Sequence, residues 1–142
     1  MDKLSSFEKG LKMVNAEEIK VELPLVLTYE DIEDIMVCAL EGGINYWCSK
    51  CKITDVAVKD GCASEQIAYG GTIKLYDREE EEWYSLDKEK FLRGVKLWAE
   101  NPVGCNCLEQ FDGKLHIDCC NADAIVCDAI IQYALFGEVL YA

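Results

Sequence analysis

The chain has 142 residues, and its 27 acidic against 14 basic residues give a formal net charge of -13. A hydrophobic content of 51% predicts one folded domain over residues 1–142 and excludes an intrinsically disordered chain. The sequence has neither an apolar run of about eighteen residues nor a signal-peptide pattern, so we expect a cytoplasmic protein without a membrane span. The acidic excess repels phosphate backbones and argues against direct nucleic-acid binding.

The first third of the chain predicts a strand followed by a helix. Residues 1–16 carry apolar side chains at roughly helical spacing and predict a loosely attached N-terminal helix. Residues 19–23 alternate apolar and charged side chains, as a half-buried strand does. Thr28 resembles a helix N-cap, and an apolar stripe predicts a helix over 29–41. Gly42–Gly43 is expected to end this helix, because glycine adopts the left-handed conformation without steric cost.

The middle of the chain predicts strands separated by a short helix. Residues 44–58 are rich in aromatic and β-branched residues and favour one or two short strands. Residues 63–69 predict one or two helical turns, capped by a glycine pair. Residues 72–76 and 83–86 alternate in polarity and predict a hairpin, whose turn carries four consecutive glutamates. Such a run of like charges favours a solvated turn.

The last third predicts two longer helices around a hairpin. Asp87 is the expected N-cap of the first helix, and Asp112–Gly113 marks the hairpin turn. Asn121 is the expected N-cap of the second helix, which Gly137 ends, and residues 139–141 are expected to form a strand. The buried faces of the two helices are predicted to contain Phe91, Leu92, Val95, Trp98, Ile125, Val126, Ala129, Ile130, Tyr133 and Phe136. Together these elements predict an α+β fold, with three or four helices packed on a small, mainly antiparallel sheet.

Nine cysteines raise the question of metal binding. Cys48 and Cys51 have the two-residue spacing of a zinc half-site, and Cys105 and Cys107 could complete a four-thiolate site. The second pair has one intervening residue, whereas paired zinc ligands are usually separated by about two to four. Free, mostly buried thiols that pack as small apolar side chains are the alternative. We therefore expect no metal or other cofactor, and these four cysteines are the residues to test for zinc.

Enzymatic templates do not match this sequence. His116 is the one histidine and lies in a predicted strand without the flanking pattern of a nucleophile–histidine pair. The glycine pairs lack the longer spacing of phosphate-binding loops. We expect the protein not to be an enzyme.

A binding role fits the residue types better. Seven aromatic residues offer flat faces for stacking a planar ligand: Tyr46, Trp47, Tyr69, Tyr76, Trp83, Tyr84 and Trp98. Side-chain amides can read hydrogen-bonding edges, and the helix after Asp87 carries a local group of bases that can neutralise phosphate. The predicted ligand-binding residues are Asn45, Tyr46, Trp47, Gln66, Arg93 and Lys96.

Several segments together resemble a family of small proteins that phages and prophages of Gram-positive bacteria encode. The resemblance lies in residues 34–48, which contain the run ALEGGINYWC, and in residues 63–67 followed by Gly70–Gly71. It continues in residues 90–94 and in residues 128–138, which read DAIIQYALFGE. These segments span most of the chain after residue 28.

The resemblance implies a small accessory protein of a phage, and such proteins often act in counter-defence. Two modes follow. In the favoured one, an aromatic and amide pocket sequesters a nucleotide-derived immune signal. In the other, the acidic surface imitates nucleic acid and blocks a host defence protein such as a CRISPR nuclease. A zinc-binding protein, or a structural or replication accessory of the phage, remains a further alternative, and a homo-oligomer is compatible with each mode.

Overall fold

A computed structural model describes residues 17–119 and 121–142, so the predicted helix at residues 1–16 lies outside the described residues. The described part has an α+β fold, as predicted, with four helices and two three-stranded sheets. In chain order the elements are β1 (Leu25–Val26), α1 (Tyr29–Cys38), β2 (Cys48–Asp55), α2 (Ala63–Gln66), β3 (Thr72–Asp77), β4 (Glu82–Leu86), α3 (Lys88–Glu100), β5 (Leu108–Phe111), β6 (Lys114–Ile117) and α4 (Ala124–Phe136).

Helix α1 begins as predicted but ends differently. The Thr28 hydroxyl accepts from the Asp31 N–H, and the Asp31 carboxylate accepts from the Thr28 N–H, which forms a capping box. After Cys38 the chain continues through a π-helical turn, Ala39–Gly43. Neither glycine of this turn has a positive φ, so the predicted left-handed stop is wrong. Gly43 is required by close packing instead, because a Cβ there would lie 2.9 Å from the carbonyl oxygen of Ala124.

The larger sheet confirms the predictions for the middle of the chain. Strands β2, β3 and β4 are antiparallel neighbours in that order. Helix α2 and a 3-10 turn, Ile67–Tyr69, connect β2 to β3, and Gly70 ends the turn with a φ of 98°. Alternation along β3 buries Ile73 and Leu75 against the helices and turns Lys74 toward the opposite face.

The smaller sheet corrects the predicted N-terminal strand. Strands β5 and β6 form the predicted hairpin, whose turn residues Asp112 and Gly113 both have positive φ. Strand β1 pairs in parallel with β6, but through Leu25 and Val26 alone. Residues 19–23 are therefore not a strand, because β6 offers them no partner.

Helices α3 and α4 pack against each other at the centre of the fold. The Asp87 carboxylate accepts from the Lys90 N–H, as predicted for the cap of α3. The cap of α4 is Asp123 rather than Asn121, because the Asp123 carboxylate accepts from the Val126 N–H. Gly94 brings the helices together, since a Cβ there would lie 2.5 Å from the carbonyl oxygen of Ile130 and 2.7 Å from the Ala134 Cβ.

Three smaller predictions for this half are wrong. Leu92 is 41% exposed and Ile125 is 57% exposed, so both lie outside the buried faces of their helices. The other side chains predicted on those faces pack in the core or against it. Residues 139–141 form no strand, because their backbone is bound by a side chain of α4 rather than by another strand.

Candidate functional site

A polar network on α4 holds two members of the predicted Asn-Tyr-Trp cluster. The Asp128 carboxylate accepts from the Trp47 indole N–H at 2.8 Å and from the Tyr46 hydroxyl at 2.6 Å. It also accepts from the Gln132 amide at 3.0 Å. Burial, together with the Asp128 carboxylate, raises the pKa of the Tyr46 hydroxyl to about 12. Tyr46 therefore remains protonated at neutral pH and keeps its hydrogen bond to Asp128.

The same network fastens the C-terminal segment. The Gln132 side-chain oxygen accepts from the backbone N–H groups of Leu140 and Tyr141, and its amide donates to the carbonyl oxygen of Tyr141. The Tyr141 ring stacks on Trp47 with centroids 5.7 Å apart, and its hydroxyl donates to the buried Asp77 carboxylate at 2.8 Å. This network therefore connects the larger sheet, α4 and the chain end.

The structure separates the three residues of the predicted cluster. Trp47 is 1% exposed and belongs to the core. Tyr46 lines a mainly apolar cavity of about 300 Å³ beside Asp128. Asn45 lines a different cavity of about 360 Å³, together with Cys51. The three side chains therefore do not face one ligand pocket.

Gln66, the second predicted amide, is fully buried and engaged within the fold. Its side-chain oxygen accepts from the N–H groups of Ala57 and Val58, and its amide donates to the carbonyl oxygens of Val58 and Gly61. This pattern satisfies both ends of the amide and fixes the loop after β2.

The two predicted bases of α3 lie away from Tyr46. The Arg93 guanidinium donates to the carbonyl oxygen of Ala134 near the C-terminus of α4, where a positive charge stabilises the helix end. Lys96 is exposed and lines a groove of about 620 Å³ with Leu92 and Leu115. Neither base lines a cavity with Asn45 or Tyr46.

The candidate zinc ligands do not converge. Cys48 and Cys51 lie on β2, whereas Cys105 and Cys107 lie in the connection before β5. Within residues 17–119 and 121–142, no group of three or more His, Cys, Asp or Glu side chains is placed to hold a metal ion. Burial raises the pKa of Cys51 and of Cys107 to about 11, which keeps both thiols protonated at neutral pH.

The solvent-facing side of the larger sheet combines lysines with aromatic rings. Lys50 and Lys52 on β2, Lys74 and Tyr76 on β3, and Trp83 on β4 occupy this side; we call it the lysine–aromatic face. The Tyr76 and Trp83 ring centroids lie 5.2 Å apart. The Lys50 ammonium lies 4.7 Å from the Tyr76 centroid, and the Lys52 ammonium lies 4.3 Å from that of Trp83. The face therefore joins stacking surfaces to positive charge.

Two lysines of this face lie opposite each other on neighbouring strands. Lys52 on β2 is directly opposite Lys74 on β3, an arrangement that destabilises a sheet through like-charge repulsion. Neither lysine forms an ion pair within the described part of the chain. An anion bound here would relieve the repulsion.

Sequence reasoning named Tyr76 and Trp83 as stacking candidates but missed the lysines beside them. The sequence does contain a clue to these lysines. Alternate residues of a strand lie on the same face, so Lys50 and Lys52 share one face of their strand, and Lys74 shares a face with Tyr76. The register that places Lys52 opposite Lys74 depends on a β-bulge between Cys48 and Lys50 and is not readable from the pattern.

The turn between β3 and β4 forms a separate acidic surface, Glu79–Glu82, which we call the acidic tip. Arg78 lies 4.0 Å from Glu79, whereas Glu80, Glu81 and Glu82 form no ion pair with a described residue. Glu81 has a φ of 58°, unusual for a residue with a side chain.

Comparison with known proteins gives no match: neither a protein-family model, nor a curated protein, nor a solved structure is similar to this chain. Among the described residues, no helix is long and apolar enough to cross a membrane.

Proposed function

We propose that this protein is a non-catalytic binding protein, and that its ligand is a nucleotide or a nucleotide-derived signal held on the lysine–aromatic face. The Lys52–Lys74 pair beside the Trp83 ring supports this most directly, because neither lysine forms an ion pair with a described residue. Like charges directly opposite each other destabilise the sheet. An anionic ligand that binds between them relieves the repulsion, and this relief contributes to the free energy of binding.

The two kinds of side chain on this face suit the two parts of a nucleotide. A base can stack on the partly exposed ring of Trp83 if it displaces the Lys52 ammonium from the ring, since aromatic stacking contributes about 1–3 kcal/mol per base. The ammonium groups of Lys50 and Lys52 lie within 5 Å of the ring centroids, so phosphates attached to a stacked base are within reach. The net charge of -13 repels a long phosphate backbone and favours a small ligand.

The sequence resemblance implies a phage protein, and for a phage the role of this binding would be counter-defence. A protein that retains a nucleotide-derived immune signal lowers its free concentration and prevents it from reaching the host effector. Such sequestration requires affinity and no catalytic group. The ligand class is therefore the one that the sequence favours, whereas its binding site is the larger sheet and not the Asn45–Trp47 cluster.

Trp83 fluorescence provides a direct test. All three tryptophans lie within the described residues, and Trp47 and Trp98 are buried, so added quenching reports on Trp83. We expect adenosine diphosphate to quench the fluorescence saturably, and adenosine or pyrophosphate alone to bind more weakly. Lys52→Gln with Lys74→Gln should weaken binding by about 10- to 100-fold, since a charged hydrogen bond contributes about 1.5–3 kcal/mol.

Lys59→Gln with Lys114→Gln is the matched control, because both lysines are exposed, both lie off the larger sheet, and the double change also removes two positive charges. Isothermal titration calorimetry on the Trp83→Phe variant separates loss of the optical signal from loss of binding. A linear, unsaturable response in the wild type, or equal weakening by the Lys59→Gln and Lys114→Gln double variant, would contradict the proposal.

A second candidate function rests on the acidic tip, which we propose as a contact for a basic, nucleic-acid-binding host protein. Three of its glutamates are exposed and lack ion pairs among the described residues. They lie in the tight turn between β3 and β4, so their negative charges are close together. Phosphates along a nucleic acid are likewise closely spaced negative charges, which a basic protein surface binds.

The test uses a purified Cas9 nuclease from a Gram-positive bacterium, with DNA cleavage as the readout. We expect the wild type to inhibit cleavage, and Gln at positions 80, 81 and 82 to abolish most of that inhibition. The control variant replaces the exposed Glu89, Glu100 and Glu109 with Gln, which changes the net charge equally. Equal loss in both variants would show a general charge effect and reject the tip as the contact.

A further inference from the structure

The segment before β1 carries exposed apolar side chains in a strand-like pattern. Ile19 is 90% exposed, Val21 is 86% exposed and Leu23 is 39% exposed, and Lys20 and Glu22 alternate with them. No other described residue exchanges a hydrogen bond with residues 19–23. The segment leads into β1, an edge strand of its sheet, so it has the composition of a strand but no strand partner among residues 17–119 and 121–142.

We propose that residues 19–23 form the interface of a two-fold symmetric dimer, in which the segment pairs antiparallel with the same segment of a second copy of this chain. With the axis at Val21, Ile19 is opposite the partner's Leu23, and Lys20 is opposite the partner's Glu22. The two-fold axis repeats both contacts. Each apolar residue then faces an apolar residue, and each charge faces its opposite.

Neighbouring registers lack this complementarity. A shift of one residue places the apolar Val21 opposite a charged residue, Lys20 or Glu22. A shift of two residues places Lys20 opposite Lys20, or Glu22 opposite Glu22. Parallel in-register pairing also places like charges opposite each other. The sequence of the segment therefore selects one antiparallel register.

The apolar side of the paired segments continues into the groove beside α3. Leu23 lines this groove together with Leu25, Leu92 and Leu115. In the proposed register the partner's Ile19 is opposite Leu23 and lies at the groove, where it covers part of the exposed Leu92. Pairing would therefore bury apolar surface that the described part of a single chain leaves exposed.

Charge exchange tests the register. In sedimentation equilibrium of the full chain at about 0.15 M salt, where the Debye length is about 8 Å, we expect a wild-type dimer. Lys20→Glu and Glu22→Lys should each weaken self-association by about tenfold or more, because each places like charges opposite each other twice. An equimolar mixture of the two variants should form a heterodimer, and the double variant K20E/E22K should regain wild-type association.

Lys59→Glu serves as the control for net charge, and circular dichroism verifies that each variant is folded. A monomeric wild type at the highest concentration tested would overturn the proposal. So would single variants that associate like the wild type, or a mixture in which opposite charges fail to restore association.

Discussion

Replacing Asp128 with alanine is expected to destabilise the fold by about 3 kcal/mol, since a buried donor left without an acceptor costs about 1–3 kcal/mol. The substitution removes the acceptor for the Trp47 indole N–H and the Tyr46 hydroxyl, and one of the acceptors for the Gln132 amide. Trp47 cannot turn to water, because its side chain is buried against Phe136 and Tyr141. Urea denaturation followed by circular dichroism measures the change.

Asp128→Asn is the control, because it retains the shape of the side chain and one acceptor oxygen. The Tyr46 hydroxyl can rotate and accept from the new amide, so the expected loss is about 1 kcal/mol. If the free energy of unfolding of Asp128→Ala lies within about 0.5 kcal/mol of the wild-type value, the network does not stabilise the fold. Asp128 would then be free for a role at the neighbouring cavity.

Replacing Gly94 with alanine is expected to destabilise the fold by about 2–3 kcal/mol, although alanine is favoured over glycine by about 1 kcal/mol within a helix. The added Cβ would lie 2.5 Å from the Ile130 carbonyl oxygen and 2.8 Å from the Ala134 backbone nitrogen. Backbone atoms of a helix cannot move aside as a flexible side chain can, so α3 and α4 must separate. Thermal unfolding of the variant measures this cost.

Gly42→Ala is the matched control, since a Cβ there meets nothing within 4 Å and Gly42 does not have a positive φ. We expect its stability to remain within about 0.5 kcal/mol of the wild type. A stabilised Gly94→Ala variant would show that helix propensity outweighs the close contact between the helices.

Local signals in the sequence predicted most of the secondary structure. The Thr28 and Asp87 caps and the hairpin turn at Asp112–Gly113 are confirmed, because each depends on residues within a few positions. The alternation in 19–23 failed because a strand also requires a partner, and the pattern contains no information on whether one is present. Asn121 and Asp123 are both good N-cap residues, so the true start of α4 could not be chosen from residue type.

The candidate site was less predictable because it depends on contacts between distant segments. Tyr46 and Trp47 are adjacent in sequence and both donate to Asp128, more than 80 positions away, yet Trp47 is buried and Tyr46 is exposed. Gln66 has a side-chain amide of the kind that binds ligands, but this amide forms hydrogen bonds with the loop after β2. The lysine–aromatic face required the pairing register of two strands, which a single sequence does not determine.

The hydrogen bonds between Gln132 and the backbone of residues 140 and 141 make the protection of these two amides depend on α4. These two amides donate to a side chain, so they gain protection from solvent exchange only after α4 has formed and docked. Tyr141 also contacts Trp47 and Asp77, which lie far from it along the chain. We therefore expect the amide hydrogens of residues 140 and 141 to exchange with solvent in the same opening that breaks the contacts of Asp128 with Trp47 and Tyr46.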